Sequence, residues 1–196
     1  MDIFKRVKKV TAAEMGGPRI AELKRELLGA GGEQRQKAFG RFFCNVAYNA
    51  KLKCRDRVRR VNVGDIGFEA WENERLERLL SLPKDKFMDL LEKKPPILTG
   101  FRLRDGSAIY FVMIDGNHRV AAAHELGVVS IPCRGNLYDL LPKRTVILEP
   151  VHQKLLKGCR DAKPLIIESY WESLNIEKRL TAQIVVAMGA REARYL

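Results

Sequence analysis

Two hydrophobic periods alternate along this chain, and the switches between them mark its elements. Ile20, Leu23, Leu27 and Leu28 fall at helical spacing, after a break at Gly16-Gly17-Pro18 and before a stop at Gly29. Upstream, Ile3, Phe4, Val7 and Val10 lie on one face of a basic amphipathic helix predicted over the first fifteen residues. Ala30-Gly31-Gly32 makes a joint. Ala38, Phe39, Phe42, Phe43, Val46 and Ala47 then recur at i, i+3 and i+4 and predict a helix with an aromatic face. Those aromatics read as core and not as base-stacking platforms. Residues 1–56 are thus expected to form a helical N-terminal extension.

The period changes near Arg57. Val58, Val61 and Val63 suggest a strand, and residues 68–80 return to helix, with Trp71, Leu76, Leu79 and Leu80 inward. Ser81-Leu82-Pro83 opens a short helix to Lys93 that buries Phe87, Leu90 and Leu91. Pro95-Pro96 excludes helix and leads into a strand from Ile97 to Leu103. Arg104-Asp105-Gly106-Ser107 holds the Asp-Gly pair of a tight hairpin turn, and an apolar strand follows from Ala108 to Ile114. A short helix runs from Val120 to Leu126, closed by Gly127; Ala121, Ala122 and Ala123 let it lie close to a sheet. Strands are expected at Ser130–Cys133 and Thr145–Leu148, with one helical turn over 136–141 between them. Residues 150–196 read as mainly helical, the last helix turning Leu180, Ile184, Ala187 and Met188 inward. The pattern as a whole is α+β: a core at 57–148 between helical extensions at 1–56 and 149–196.

Charge adds a partner class to this picture. Lys and Arg number 36 against 24 Asp and Glu, a formal net charge of +12, which favours a polyanion and nucleic acid first. Lys51, Lys53, Arg55, Arg57, Arg59 and Arg60 crowd together, and Lys5, Arg6, Lys8 and Lys9 form a second group. Such a run either grips a nucleic-acid backbone through counterion release or guards a solvated edge strand. Cys44, Cys54, Cys133 and Cys159 form no CxxC pair and have no His at zinc-finger spacing, which points to reduced thiols in a cytoplasm. The N-terminus lacks the long apolar stretch of a signal peptide, and nothing reaches the ~18 apolar residues needed to cross a bilayer. The basic N-terminal helix leaves contact with the inner face of the membrane as an alternative to packing on the body.

The chemistry concentrates in Asp115-Gly116-Asn117-His118-Arg119, between the apolar strand and the Ala-rich helix. Gly116 permits a sharp turn and a close backbone approach to a ligand. N–H groups at a helix start face an anion. Arg119 offers a fork of donors to phosphate, His118 a hydrogen bond or a proton shuttle, and Asp115 a carboxylate for metal or water. The same residues are equally a helix start, with Asp115 or Asn117 as the cap and His118 and Arg119 on the surface. Asp65, Glu69 and Glu72 follow the first strand; Glu69 and Glu72 would share a helix face as general base, metal ligand or acids favouring the helix dipole. His124 reads as structural, and His152 has no assigned role.

The segment FVMIDGNHRVAAAHELGVVSIPC resembles the signature of the ParB/sulfiredoxin superfamily. Partition proteins carry Gly-Glu-Arg-Arg at the matching run, sulfiredoxins Gly-Gly-Cys-His-Arg, and free-serine kinases an Asp-Gly-x-His-Arg type. The upstream Pro-Pro-Ile-Leu and the hairpin fit the same pattern, and the resemblance spans roughly residues 57–135. It implies a small mixed sheet with packed helices and a nucleotide site at Gly116, Asn117, His118 and Arg119. Asp115, His118 and Glu69 would be its catalytic residues, with Mg²⁺ at Asp115. Asn117 stands where a sulfiredoxin needs its nucleophilic Cys, which argues against sulfinic-acid reduction. The chain is too short for a partition protein's further domains. The resemblance then implies ATP or CTP as ligand, triphosphate hydrolysis and nuclease action on DNA. A small-molecule kinase and a non-catalytic DNA- or protein-binding regulator are the alternatives. Small plasmid-borne members that inhibit conjugative transfer add a component of conjugation or secretion machinery as a partner.

Overall fold

The computed structural model describes residues 6–28, 33–69, 73–112, 115–149, 151–167 and 177–196. Ile3, Phe4, Gly29, the joint 30–32, Trp71, Glu72 and Ile114 therefore lie outside the described residues. The α+β expectation holds: helices and mixed sheets interleave along the chain.

The central element is a five-stranded mixed sheet. Its hairpin joins β5 (Ile97–Arg102) to β6 (Ala108–Val112), antiparallel, with Leu98 opposite Val112 and Gly100 opposite Tyr110. β8 (Arg134–Tyr138) runs parallel to β5, β2 (Cys54–Arg57) lies antiparallel on the outer edge of β8, and β4 (Ile66–Gly67) pairs parallel with β6. Alternation along β6 divides its side chains between two cores. Ile109 and Phe111 enter one, while Ala108, Tyr110 and Val112 enter the other. Gly100 is bare because a Cβ there would stand 2.4 Å from the Tyr110 ring.

On the second face pack α3 (Glu74–Leu80), α4 (Lys84–Lys93) and α5 (Asn117–Glu125), through Leu76, Leu79, Phe87, Leu91 and the run Val120–Ala123. A short ladder of β3 (Arg60–Asn62) on β7 (Ser130–Pro132) borders this layer. On the first face lie α1 (Gly17–Leu28), α2 (Glu33–Asn49) and α7 (Lys178–Ala187). Phe43 of α2 stacks on Phe101 at 4.7 Å and meets Phe111 at 5.0 Å, so the aromatic face of that helix is core, as expected.

A second, four-stranded sheet was not foreseen. Its order is β1 (Lys8–Thr11), β11 (Glu192–Tyr195), β9 (Thr145–Leu148) and β10 (Leu165–Ile167). Lys8–Thr11 is therefore strand, not the expected amphipathic helix: it pairs antiparallel with β11, and Val10 alone of it is buried. Among the described residues of 150–196 helix does not predominate either: α6 (His152–Leu156) and α7 are helices, while β10 and β11 flank β9 in parallel. Residues 136–141 form no helical turn, since Asn136–Tyr138 belong to β8 and Leu137 enters the core. Among the described residues no helix is long and apolar enough to cross a membrane.

The first predicted strand is also divided. Val58 lies between β2 and β3, and Val63 opens a single 3-10 turn to Asp65. The helix expected over 68–80 starts at Glu74, because Asn73 caps it by accepting the N–H groups of Arg75 and Leu76. Glu69 is not helical, and the helix face expected to join it to Glu72 lies outside the described residues.

Candidate functional site

The strand β6 delivers the chain to Asp115 and Gly116, and α5 begins at Asn117, earlier than the expected Val120. Gly116 has φ +123°, and a Cβ on it would come within 2.6 Å of Pro96. Only glycine makes this turn with Pro96 so close. No side chain caps α5, whose first backbone bond runs from Val120 N–H to the Gly116 carbonyl. The N–H groups of Asn117, His118 and Arg119 thus have no acceptor inside the helix.

Arg119 is turned inward. Its side chain is 7% exposed, and it donates to the Lys94 carbonyl and to Asp115 Oδ2, an ion pair spanning i and i+4. Ile97 N–H donates to the Asp115 carbonyl at 3.0 Å. Arg119 thereby straps the end of α4, the Pro95-Pro96 segment and the loop into one unit. The fork expected to reach a phosphate is used internally.

Asn117 and His118 tie in the opposite wall. Asn117 Oδ1 accepts the Glu69 N–H at 3.0 Å, which brings Glu69 beside the helix start by its backbone. His118 Nε2 lies 2.8 Å from Asn73 Nδ2. The cap bonds of Asn73 fix which end of its amide is which: the oxygen holds α3, so the nitrogen faces His118 and donates. His118 Nε2 is then the acceptor, and Nδ1 carries the proton. In this arrangement His118 offers a donor and not a base. Asn73 and Lys94 were missed from sequence. An Asn directly before a helical run is a cap signal, so Asn73 was within reach; its contact with His118 was not.

The remaining acids and histidines lie apart. Asp65 Oδ1 accepts from Lys24 Nζ at 2.7 Å beside a cavity of about 470 Å³ lined by Ala21, Arg25 and Leu28. His124 packs near the Phe68 ring, and His152 faces Glu149 at 3.7 Å. The Mg²⁺ ligand expected at Asp115 is a carboxylate already paired with Arg119. Among the described residues no three His, Cys, Asp or Glu side chains gather at ligand spacing. These residues do not make a metal cage of their own.

No protein-family model matches the chain, and no curated protein matches it.

The basic run spans the segment just before the outer edge strand β2, β2 itself and the passage into β3. Lys51, Lys53, Arg57, Arg59 and Arg60 are all exposed; Arg55 is on β2, its side chain outside the described residues. Arg60 is engaged with Ser130 and with Glu92, 3.7 Å away. None of the four cysteines is in a disulfide. Burial pushes the Cys133 thiol up to about 11, with Arg60 opposing the shift, and it also raises Cys44. Neither thiol is poised as a thiolate at neutral pH.

Proposed function

We propose that this chain is a nucleotide-binding hydrolase of the ParB/sulfiredoxin type that takes ATP or CTP by its phosphates at the start of α5 and also acts on DNA. The observation that carries the reading is the uncapped first turn of α5, led by a glycine that only its backbone shape admits. Three N–H groups and the positive end of a helix dipole suit an anion there. His118 adds a donor from Nδ1. Arg119 acts as a positioning residue: it holds Asp115 and the Lys94 carbonyl so that the loop keeps its shape without a ligand. Such a site works by orientation and charge neutralisation, which is most of what phosphoryl transfer requires. In this reading Glu69, tied to Asn117 through its backbone N–H, supplies the acid that orients water. The exposed basic edge around β2 supports DNA as the second ligand.

Titration of ATP and CTP with and without Mg²⁺, followed by assays for released phosphate and for plasmid nicking, tests the reading. Binding of a triphosphate with phosphate release is expected. His118→Ala should lower nucleotide affinity about three- to tenfold, the loss of one hydrogen bond. Absence of binding to either nucleotide overturns the proposal. Binding without phosphate release leaves a non-catalytic regulator instead.

A further inference from the structure

Beside Pro95 and the strand β8 lies a groove of about 620 Å³. Arg57, Arg59 and Arg134 line it together with Glu92, Pro95 and Gly135. Backbone bonds fix these walls against each other. Val58 N–H donates to the Gly135 carbonyl and Cys133 N–H to the Arg59 carbonyl, both at 3.0 Å, while Arg134 N–H donates to the Pro96 carbonyl at 2.9 Å. Gly135, at φ +149°, lies so near the Leu98 carbonyl that no side chain fits there.

Charge in the groove is out of balance. Among the described residues Arg57, Arg59 and Arg134 make no ion pair, and Glu92 faces Arg60 at its rim. Arg57 and Arg59 flank the buried Val58, so their side chains project to the same side of an extended chain. Three exposed guanidiniums on a fixed frame repel one another, and an anion with several phosphates relieves this.

We infer that this groove holds the sugar-phosphate backbone of a nucleic-acid strand, with Arg57, Arg59 and Arg134 as its phosphate contacts. The inference rests on the DNA half of the proposed function and assigns that half a place and a residue, Arg134, that the basic run does not contain. Among the described residues that line the groove none is aromatic. Bases therefore find no stacking platform, and the strand is held by its backbone without sequence preference. Arg60, occupied by Ser130 and Glu92, is a boundary and not a contact.

The test is binding of labelled single- and double-stranded oligonucleotides of mixed sequence to the full chain across a salt series. Arg134→Gln should weaken binding and flatten the salt slope by about one unit, and Arg57→Gln with Arg59→Gln by about two, one for each lost phosphate contact. ATP affinity and the melting temperature of these exposed-site variants should stay at wild-type values. A wild-type slope in Arg134→Gln, with the loss appearing instead in Lys51→Gln with Lys53→Gln, places the strand elsewhere on the edge and overturns the groove while DNA binding stands. Competition by pyrophosphate as effective as that by oligonucleotide makes it a small-anion site and also overturns it. If the wild-type chain binds no oligonucleotide, the DNA half of the proposed function falls with the groove, and the nucleotide titrations are unaffected.

Discussion

Arg119 illustrates how one side chain acts through others. Its guanidinium is buried, yet its partner Asp115 is 56% exposed, so its removal strands no buried carboxylate. What Arg119→Ala loses is the packing and the two charge-assisted bonds, about 1.5–3 kcal/mol each in favourable cases. Thermal unfolding should therefore show a clear loss of stability alongside weakened nucleotide binding. A variant that melts like wild type but no longer binds nucleotide would make Arg119 a direct phosphate contact. Asn73 separates two roles in the same way. Asn73→Asp keeps an oxygen to cap α3, Asp being as good a cap as Asn, but removes the N–H that faces His118. The melting temperature should hold while nucleotide affinity drops severalfold; equal affinity would show that the His118 tautomer is irrelevant to binding.

At the scale of elements, the second sheet is locked at the start of β9. Asp161 accepts from Thr145 N–H and from Arg191, and Arg191 also reaches Thr145 Oγ1 at 3.0 Å. The Thr145 N–H bond is the main reason the Asp161 carboxyl titrates below the usual carboxylate range. Glu14 is lowered likewise, first by the Thr11 hydroxyl and then by the Thr11 N–H, next to β1. A carboxyl depressed on folding contributes stability above its unfolded value of about 3.9, and that contribution is lost as pH falls through the lower folded value. Melting temperatures should thus decline below about pH 4. Asp161→Asn should melt lower than wild type at neutral pH and lose less on further acidification. An unchanged acid profile in Asp161→Asn would assign the acid sensitivity to other groups.

For the whole molecule, the five-stranded sheet is the wall shared by two cores, and α7 buries its whole run Leu180–Ala187, much of it in the first. Ile184 is 1% exposed there. Ile184→Ala should cost about 2–5 kcal/mol through lost burial and the cavity left behind. Because β5 and β6 present side chains to both cores, the loss should reach the opposite face. Hydrogen exchange of the α5 amides is expected to quicken together with that of α7. Protection retained in α5 while α7 loses it would mean that the two cores open separately.

The sequence by itself determined what is local. The β5–β6 hairpin follows from its Asp-Gly turn, and α1, α2 and α4 follow from apolar spacing. The loop of Asp115 and Gly116 before an Ala-rich helix follows from a glycine between a strand and a helix. Each rests on neighbours a few residues apart. Tertiary structure decided what depends on partners far along the chain. Lys8–Thr11 and Glu192–Tyr195 are strands because they pair with each other, although neither segment alternates strongly enough to announce it. Asn136–Tyr138 extend because β5 offers a parallel partner. The same holds in the site. Local pattern indicated that Arg119 and His118 belong to it. Only the fold brought Lys94 and Asp115 around the Arg119 guanidinium, and Asn73 onto His118 Nε2, and so decided which of these groups are already engaged.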